Sequence, residues 1–269
     1  MADAAPRRLA LVTGASAGMG EAFAKAYAAR GYDLALVARR IDRLQALAHR
    51  LKDEHGVEEF AVQADLAEFE AHRAVLDAVE AEERVVDVLV NNAGFGIPQS
   101  FDAVPWARQR DFLMTMAVTP CGLAHAVIPG MAARGFGRIV NIGSMAAFSP
   151  GVAGNSLYPG VKGLMVKWSQ SLDAEYRAAG VKVTCVCPGF VATEFAARAG
   201  FQEIIDRDGR TFMQTPESVA EATIRANERG KVVLIPGWQN RLAAMLMRGL
   251  PEPFVRWVIG KASAKYHPQ

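Results

Sequence analysis

Cysteine is scarce in this chain, with three in 269 residues. An odd count is a poor disulfide framework, and C-x-C without a second ligand pair is a weak zinc signal. Cys185 and Cys187 lie in VKVTCVCPG, where a strand would point both to one side, and are expected as reduced structural thiols. Runs of one charge are also missing. No basic run exceeds two residues, and 30 cations balance 28 acids for a net charge of +2, which gives no footprint for a nucleic-acid partner. No uninterrupted apolar run reaches the roughly 18 residues of a membrane span. The opening MADAAPRRLALVTG lacks the long apolar stretch and cleavage site of a secretory signal. Linkers, repeats and low-complexity stretches are absent too. The expectation is a soluble cytoplasmic protein, and 51% hydrophobic residues allow it a substantial core.

What is present is an alternation of strand-like apolar runs and helical patterns. RLALVT (8–13), DLALVA (33–38), EEFAVQA (58–64), VDVLVN (86–91), GRIVNIGS (137–144), VKVTCVCPG (181–189) and KVVLIPG (231–237) read as strands. Helical patterns fall near 18–30, 40–55, 106–134 and 158–179, with another between the third and fourth strands. Several strands are apolar at nearly every position, as a parallel sheet covered on both faces requires. The expected fold is α/β, a doubly wound parallel sheet of Rossmann type, forming one domain over residues 1–236. Residues 237–269 depart from the alternation: two apolar helical segments split by Pro251 and Pro253, punctuated by Arg241, Arg248, Arg256, Lys261 and Lys265. Three roles stay open for this extension: packing on the domain or a partner subunit, a lid over an apolar substrate site, or contact with a membrane surface.

Directly after the first strand comes TGASAGMG, with Gly14, Gly18 and Gly20. Glycines there permit a tight turn and let backbone N–H groups approach a pyrophosphate at a helix N-terminus, where the dipole is positive. The end of strand 2 selects the nucleotide. A carboxylate would accept hydrogen bonds from a ribose diol, whereas arginine favours a 2′-phosphate. The chain reads LALVARRIDRL, with Ala38 followed by Arg39 and Arg40, so NADP(H) is expected, with Arg39 the stronger candidate. In NSLYPGVKG (155–163), Tyr158 and Lys162 are one helical turn apart, and Pro159 is tolerated only if it sits in the first turn. A nearby ammonium lowers a phenol's pKa, so this pair suits proton transfer to a developing alkoxide.

TGASAGMG, NNAG (91–94) and YPGVK (158–162), in this order, resemble the short-chain dehydrogenase/reductase family over about residues 8–235. The resemblance implies Tyr158 as proton donor, Lys162 as the group that tunes it and holds the cofactor ribose, and Ser144 in NIGSMAAF as the serine that binds the substrate oxygen. Ser144 precedes Tyr158 by fourteen residues where the family gap is nearer thirteen; Ser149 and Ser156 are weaker candidates. The same resemblance places the cofactor on Gly14, Ser16, Gly18, Met19 and Gly20, on Arg39 and Arg40, on Asp65 and Leu66 beside the adenine, and on Asn92, Ala93 and Gly94. Tyr158, Lys162 and PGFVAT, with Pro188, Gly189, Val191 and Thr193, complete the set. One departure stands out: the asparagine common in the helix after strand 4 is replaced by Met116 or Ala117, which implies an altered proton supply. Homodimers or homotetramers through helices such as 158–179 are implied.

Residues expected around the nicotinamide are apolar: Met145, Phe148, Val152 and Leu157 from the loop before Tyr158, with Phe95, Phe190 and Phe195 from two other loops. No arginine occurs in 145–157 to clamp a carboxylate, although Arg198, Glu203, Asp206 and Arg207 follow. The expected function is NADP(H)-dependent reduction of a hydrophobic ketone or aldehyde, or oxidation of the matching alcohol. Two rivals are a non-catalytic NADP(H)-binding sensor or scaffold, and an epimerase or dehydratase on the same fold.

Overall fold

The computed structural model describes residues 7–151, 154, 156–195 and 213–263. Seven parallel strands form one sheet in the order β3-β2-β1-β4-β5-β6-β7. They are β1 (Leu9–Thr13), β2 (Asp33–Ala38), β3 (Glu59–Gln63), β4 (Val86–Asn91), β5 (Gly137–Ile142), β6 (Val181–Val186) and β7 (Val233–Leu234). The α/β doubly wound expectation holds. Several strands are apolar at nearly every position because both faces are covered. Ala10 and Val12 of β1 face a layer with α1 (Gly18–Ala28), α2 (Ile41–His55) and α7 (Pro216–Glu228). Leu9 and Leu11 face a layer with α3 (Ala71–Ala81), α5 (Thr119–Ala133) and α6 (Tyr158–Tyr176).

α4 (Trp106–Leu113), a π-helical turn (Met114–Val118) and α5 run on as one helix, close to the single helix expected over 106–134. Its length and composition would suffice to cross a membrane, but Leu123, Val127, Ile128 and Met131 lie in the core beside Leu89 and Ile139. Five strands are shorter than their sequence patterns, β1 and β3 only by a residue at an end or at each end. β5 and β6 stop at Ile142 and Val186 and release GS and CPG into loops at the site; β7 keeps only two residues. The extension forms α8 (Trp238–Gly249) and α9 (Glu252–Ser263), broken at Pro251, which lacks the N–H to continue a helix. Ala244 and Val255 are buried, α8 packs on the 3₁₀ turn Met145–Phe148, and the Arg248 guanidinium lies 5.0 Å from the Phe148 ring centre. Among the expected positions, Val152, Arg198, Glu203, Asp206 and Arg207 lie outside the described residues.

Candidate active site

The C-terminal ends of β1, β2, β4, β5 and β6 open onto a cavity of about 670 Å³. It lies where the connections from β1 and β4 turn to opposite sides, the crevice at which open α/β sheets take ligands. Its nucleotide half depends on glycine. Gly14 has a φ of +67°, a left-handed value that side chains disfavour. A Cβ on Gly20 would stand 2.2 Å from the Gly14 carbonyl oxygen and 2.6 Å from Asn92 Nδ2, so α1 can seat against the strand only without one. Gly20 therefore sits behind the loop, while Gly14, Ser16, Gly18 and Met19 line the cavity. The N-terminus of α1 has no side-chain cap, which leaves its first N–H groups to bind an anion.

NNAG braces this loop from β4. Asn92 Nδ2 donates to Thr13 O at 2.8 Å, and Thr13 Oγ1 accepts from the N–H groups of Asn92 and Ala93 at 2.9 and 3.1 Å. Asn91 instead turns inward and donates to Asn141 Oδ1, which in turn binds Ser169 on α6. Asp65, Leu66, Ala93 and Gly94 also line the cavity, as do Pro188, Gly189, Val191 and Thr193.

The two arginines divide differently from the sequence expectation. Arg40, not Arg39, reaches the glycine loop: its Nε and Nη2 donate to Ser16 Oγ at 3.2 and 3.0 Å. Arg39 also lines the cavity, 63% exposed and 3.7 Å from Asp65 Oδ2. Glu194, which the sequence reading missed, accepts from Arg40 at 3.2 Å and Arg43 at 2.8 Å, and these arginines hold its carboxyl below the ordinary carboxylate range. The cradle fits the expected dinucleotide. Glycines clear space for a pyrophosphate, no carboxylate ends β2, and the arginines beside Ser16 already hold one anionic oxygen pair.

The chemical half is assembled by β5, β6 and α6. α6 starts at Tyr158 with Pro159 in its first turn, as the sequence predicts. Ser144 caps a short 3₁₀ turn (Met145–Phe148) by accepting from Ala146 N, and Met145 N donates to Pro188 O, tying the β5 and β6 loops together. Ser144 lines the cavity, whereas Ser149 turns back onto Ala146 O and Ser156 is exposed. Burial pushes the Tyr158 phenol up to about 12, against a hydrogen bond from Ser144 that lowers it. Burial pushes Lys162 down to about 8; its Nζ donates to Ile142 O at 2.7 Å and lies 5.5 Å from the Tyr158 ring centre. The expected lowering of the phenol by Lys162 does not appear: the group that lowers it is Ser144, and burial outweighs that. Loss of solvation disfavours the charged form of each residue.

Met116, rather than Ala117, lines the cavity. It lies in the π-helical turn, is buried, and its Cε and Sδ would stand 3.2 and 3.3 Å from a Cβ on Gly94. Met145, Phe95, Phe190 and Phe195 also line the cavity, and Phe112 and Phe195 flank the Tyr158 ring at 6.4 and 6.2 Å. Phe148 and Leu157 do not. The 3₁₀ turn directs Phe148 into a cluster with Met165 and Val166, and Leu157 packs with Phe112 and Val161 behind the tyrosine. Sequence reading missed Arg108 and Asp111 of α4 and Asn240 of α8, all on the cavity wall. None carries a motif; their spacing in helices far from the signature stretches gave no signal. Among the described residues no cluster of three or more His, Cys, Asp or Glu could hold a metal ion.

A sequence model of the short chain dehydrogenase family matches residues 8–203. The "NADP-dependent 3-hydroxy acid dehydrogenase YdfG" of Salmonella typhi is 34% identical over 222 residues, covering 80% of this chain and 86% of that protein. A short-chain dehydrogenase from Sphingobium yanoikuyae, solved in complex with NADPH, superposes with a TM-score of 0.78 at 33% identity, over 91% of this chain and 97% of that one. The bulky-bulky ketone specific alcohol dehydrogenase from Comamonas testosteroni gives 0.73 at 28% identity, over 91% and 95%. With the glycine loop, NNAG brace and Ser144–Tyr158–Lys162 group in one cavity, the chain belongs to the short-chain dehydrogenase family of oxidoreductases.

Proposed function

We propose that this protein is an NADP(H)-dependent oxidoreductase that interconverts a hydrophobic ketone or aldehyde and its alcohol. The observation that carries the reading is the convergence of Ser144, Tyr158 and Lys162 on the apolar end of a cavity whose other end is lined by Ser16 and Arg40. Ser16, Arg40 and the α1 N-terminus would hold the adenosine 2′-phosphate and pyrophosphate, and Lys162 and Thr193 the nicotinamide end. When bound, the nicotinamide supplies or takes the hydride. Ser144 Oγ donates a hydrogen bond to the substrate oxygen and fixes it beside the phenol. Tyr158, kept protonated by its burial, is a ready acid for the oxygen as negative charge develops on it. Lys162, held by Ile142 O, restores the field that stabilises the phenolate after transfer. Met116 cannot hydrogen-bond a relay water, so carbonyl oxygens such as Ile142 O carry that task. Phe95, Met145, Phe190 and Phe195 give the substrate an apolar bed, in keeping with a relative named for bulky ketones.

A second reading rests on Arg108, which lies 4.0 Å over the Phe95 ring on the cavity wall. It would read a carboxylate two or three bonds from the carbonyl, as in a 3-oxo acid, and a relative is named for 3-hydroxy acids. One panel separates them: neutral bulky ketones and 3-oxo acids assayed with NADPH and with NADH. Neutral ketones are expected to be reduced with NADPH, with kcat falling by about 10²–10⁴-fold in Tyr158→Phe. A preference for 3-oxo acids that Arg108→Leu removes would select the second reading. NADPH left unconsumed across the panel would overturn both.

A further inference from the structure

We infer that α8 and α9 dock the enzyme onto an anionic phospholipid surface. Each helix has two apolar sides. One is buried, at Ala244 on α8 and Val255 on α9. The other faces solvent. On α8 it runs Trp238, Leu242, Met245 and Leu246, with Leu250 just past the helix end, and on α9 Phe254, Trp257 and Val258, all exposed, Trp238 by 68% and Trp257 by 57%. These eight are more than half of the fifteen large hydrophobic side chains that the described residues leave exposed. Scattered exposed hydrophobics need no explanation, but a contiguous stripe marks a contact.

Charge identifies what the stripe meets. α8 and α9 carry Arg241, Arg248, Arg256 and Lys261 against Glu252 alone, a net +3 in a chain whose total is +2, so the rest of the protein is net negative. The exposed Arg241 borders the stripe, and Lys261 rests over the Trp257 ring at 4.1 Å. Indole beside ammonium at one depth is the composition of a membrane interface, where the ring sits among the headgroups and the cation meets their phosphates. A second copy of this chain would bring cations against cations, which disfavours self-pairing through this face. The opposite side of α8 reaches the cavity, because Asn240 lines it and crowds the space beside Gly189.

Vesicle co-sedimentation of the full chain tests this, with phosphatidylcholine alone and with phosphatidylcholine containing a third phosphatidylglycerol. Binding is expected only to the anionic vesicles, with a blue shift of tryptophan emission, and is lost in half-molar salt. Arg241→Gln and Lys261→Gln should each weaken it about fivefold, and Leu246→Gln with Trp257→Gln at least about tenfold, with reduction of a water-soluble ketone unchanged. No binding to anionic vesicles at low salt overturns the inference. So does equal binding to neutral vesicles, or a dimer by light scattering that Trp257→Gln dissociates while vesicle binding is absent. The lipid and salt comparisons on the unaltered protein decide the matter even if a variant fails to fold.

Discussion

Burial works against charge on both polar side chains in the first turns of α6, and at Lys162 the effect has a sign that can be measured. The lysine falls from 10.5 in the unfolded chain to about 8 in the folded one. Below pH 8 the native state bears the full cost of a buried ammonium. As pH rises from 8 to 10.5 the native lysine loses its proton while the unfolded one keeps it, so stability rises over that window. Lys162→Met should abolish turnover yet melt above the unaltered enzyme at pH 7, less what is lost by leaving Ile142 O without its donor. The gap in Tm should close by pH 10.5, and melts across that range check it; a gap that widens with pH would mean the lysine is native-stabilising. The same reasoning separates the two residues of YPGVK in function. Tyr158 at about 12 stays a protonated acid across physiological pH, so a loss of reductase activity as pH rises through 8 reports the lysine.

At the scale of elements, the glycine loop is a contact between a strand end and a helix start rather than a flexible segment. Gly20→Ala tests it, because two effects oppose. Alanine favours helix by about 1 kcal/mol over glycine. Against that, the new Cβ would meet the Gly14 carbonyl at 2.2 Å, an overlap that forces backbone to move and costs about 1–3 kcal/mol. The overlap should win. Urea unfolding should show net destabilisation, and NADPH binding followed by fluorescence should weaken with it; a stabilised variant would show that α1 has room to shift.

Much of this level was legible in the chain. Buried parallel strands show as unbroken apolar runs, and TGASAGMG, NNAG and YPGVK sit at strand and helix ends because only those backbone positions bring atoms to the crevice. What stayed hidden depends on side-chain direction. Phe148 points into the Met165 cluster because a 3₁₀ turn replaces an open loop. Arg40 rather than Arg39 reaches Ser16 because the chain turns into α2 at that point. For α8 the sequence leaves packing, a lid and a membrane contact open, because apolar spacing alone does not say which side faces outward.

At the scale of the whole molecule, the cavity draws on both halves of the sheet, with Gly14 and Arg40 from one and Gly189 and Thr193 from the other. A ligand that spans them stabilises the entire fold by mass action. At a hundredfold excess over Kd that is about 2.7 kcal/mol, and for a chain of this size a Tm rise of about 5–10 °C. NADPH should give this shift, NADH a smaller one, and Arg40→Ala should erase the difference between them. Equal shifts for the two nucleotides in the unaltered protein would remove the basis for NADP(H) preference.

The brace between the strand ends of β1 and β4 also orders events in time. Thr13 Oγ1 donates to Val90 O, 77 residues along the chain, and only then are the N–H groups of Asn92 and Ala93 held where they support the loop. The signature nearest the N-terminus therefore takes its braced shape only once β1 and β4 have paired. Closing so long a loop is slow, and the nucleotide meets a finished crevice rather than a forming one. Its presence should slow unfolding and leave the folding rate alone.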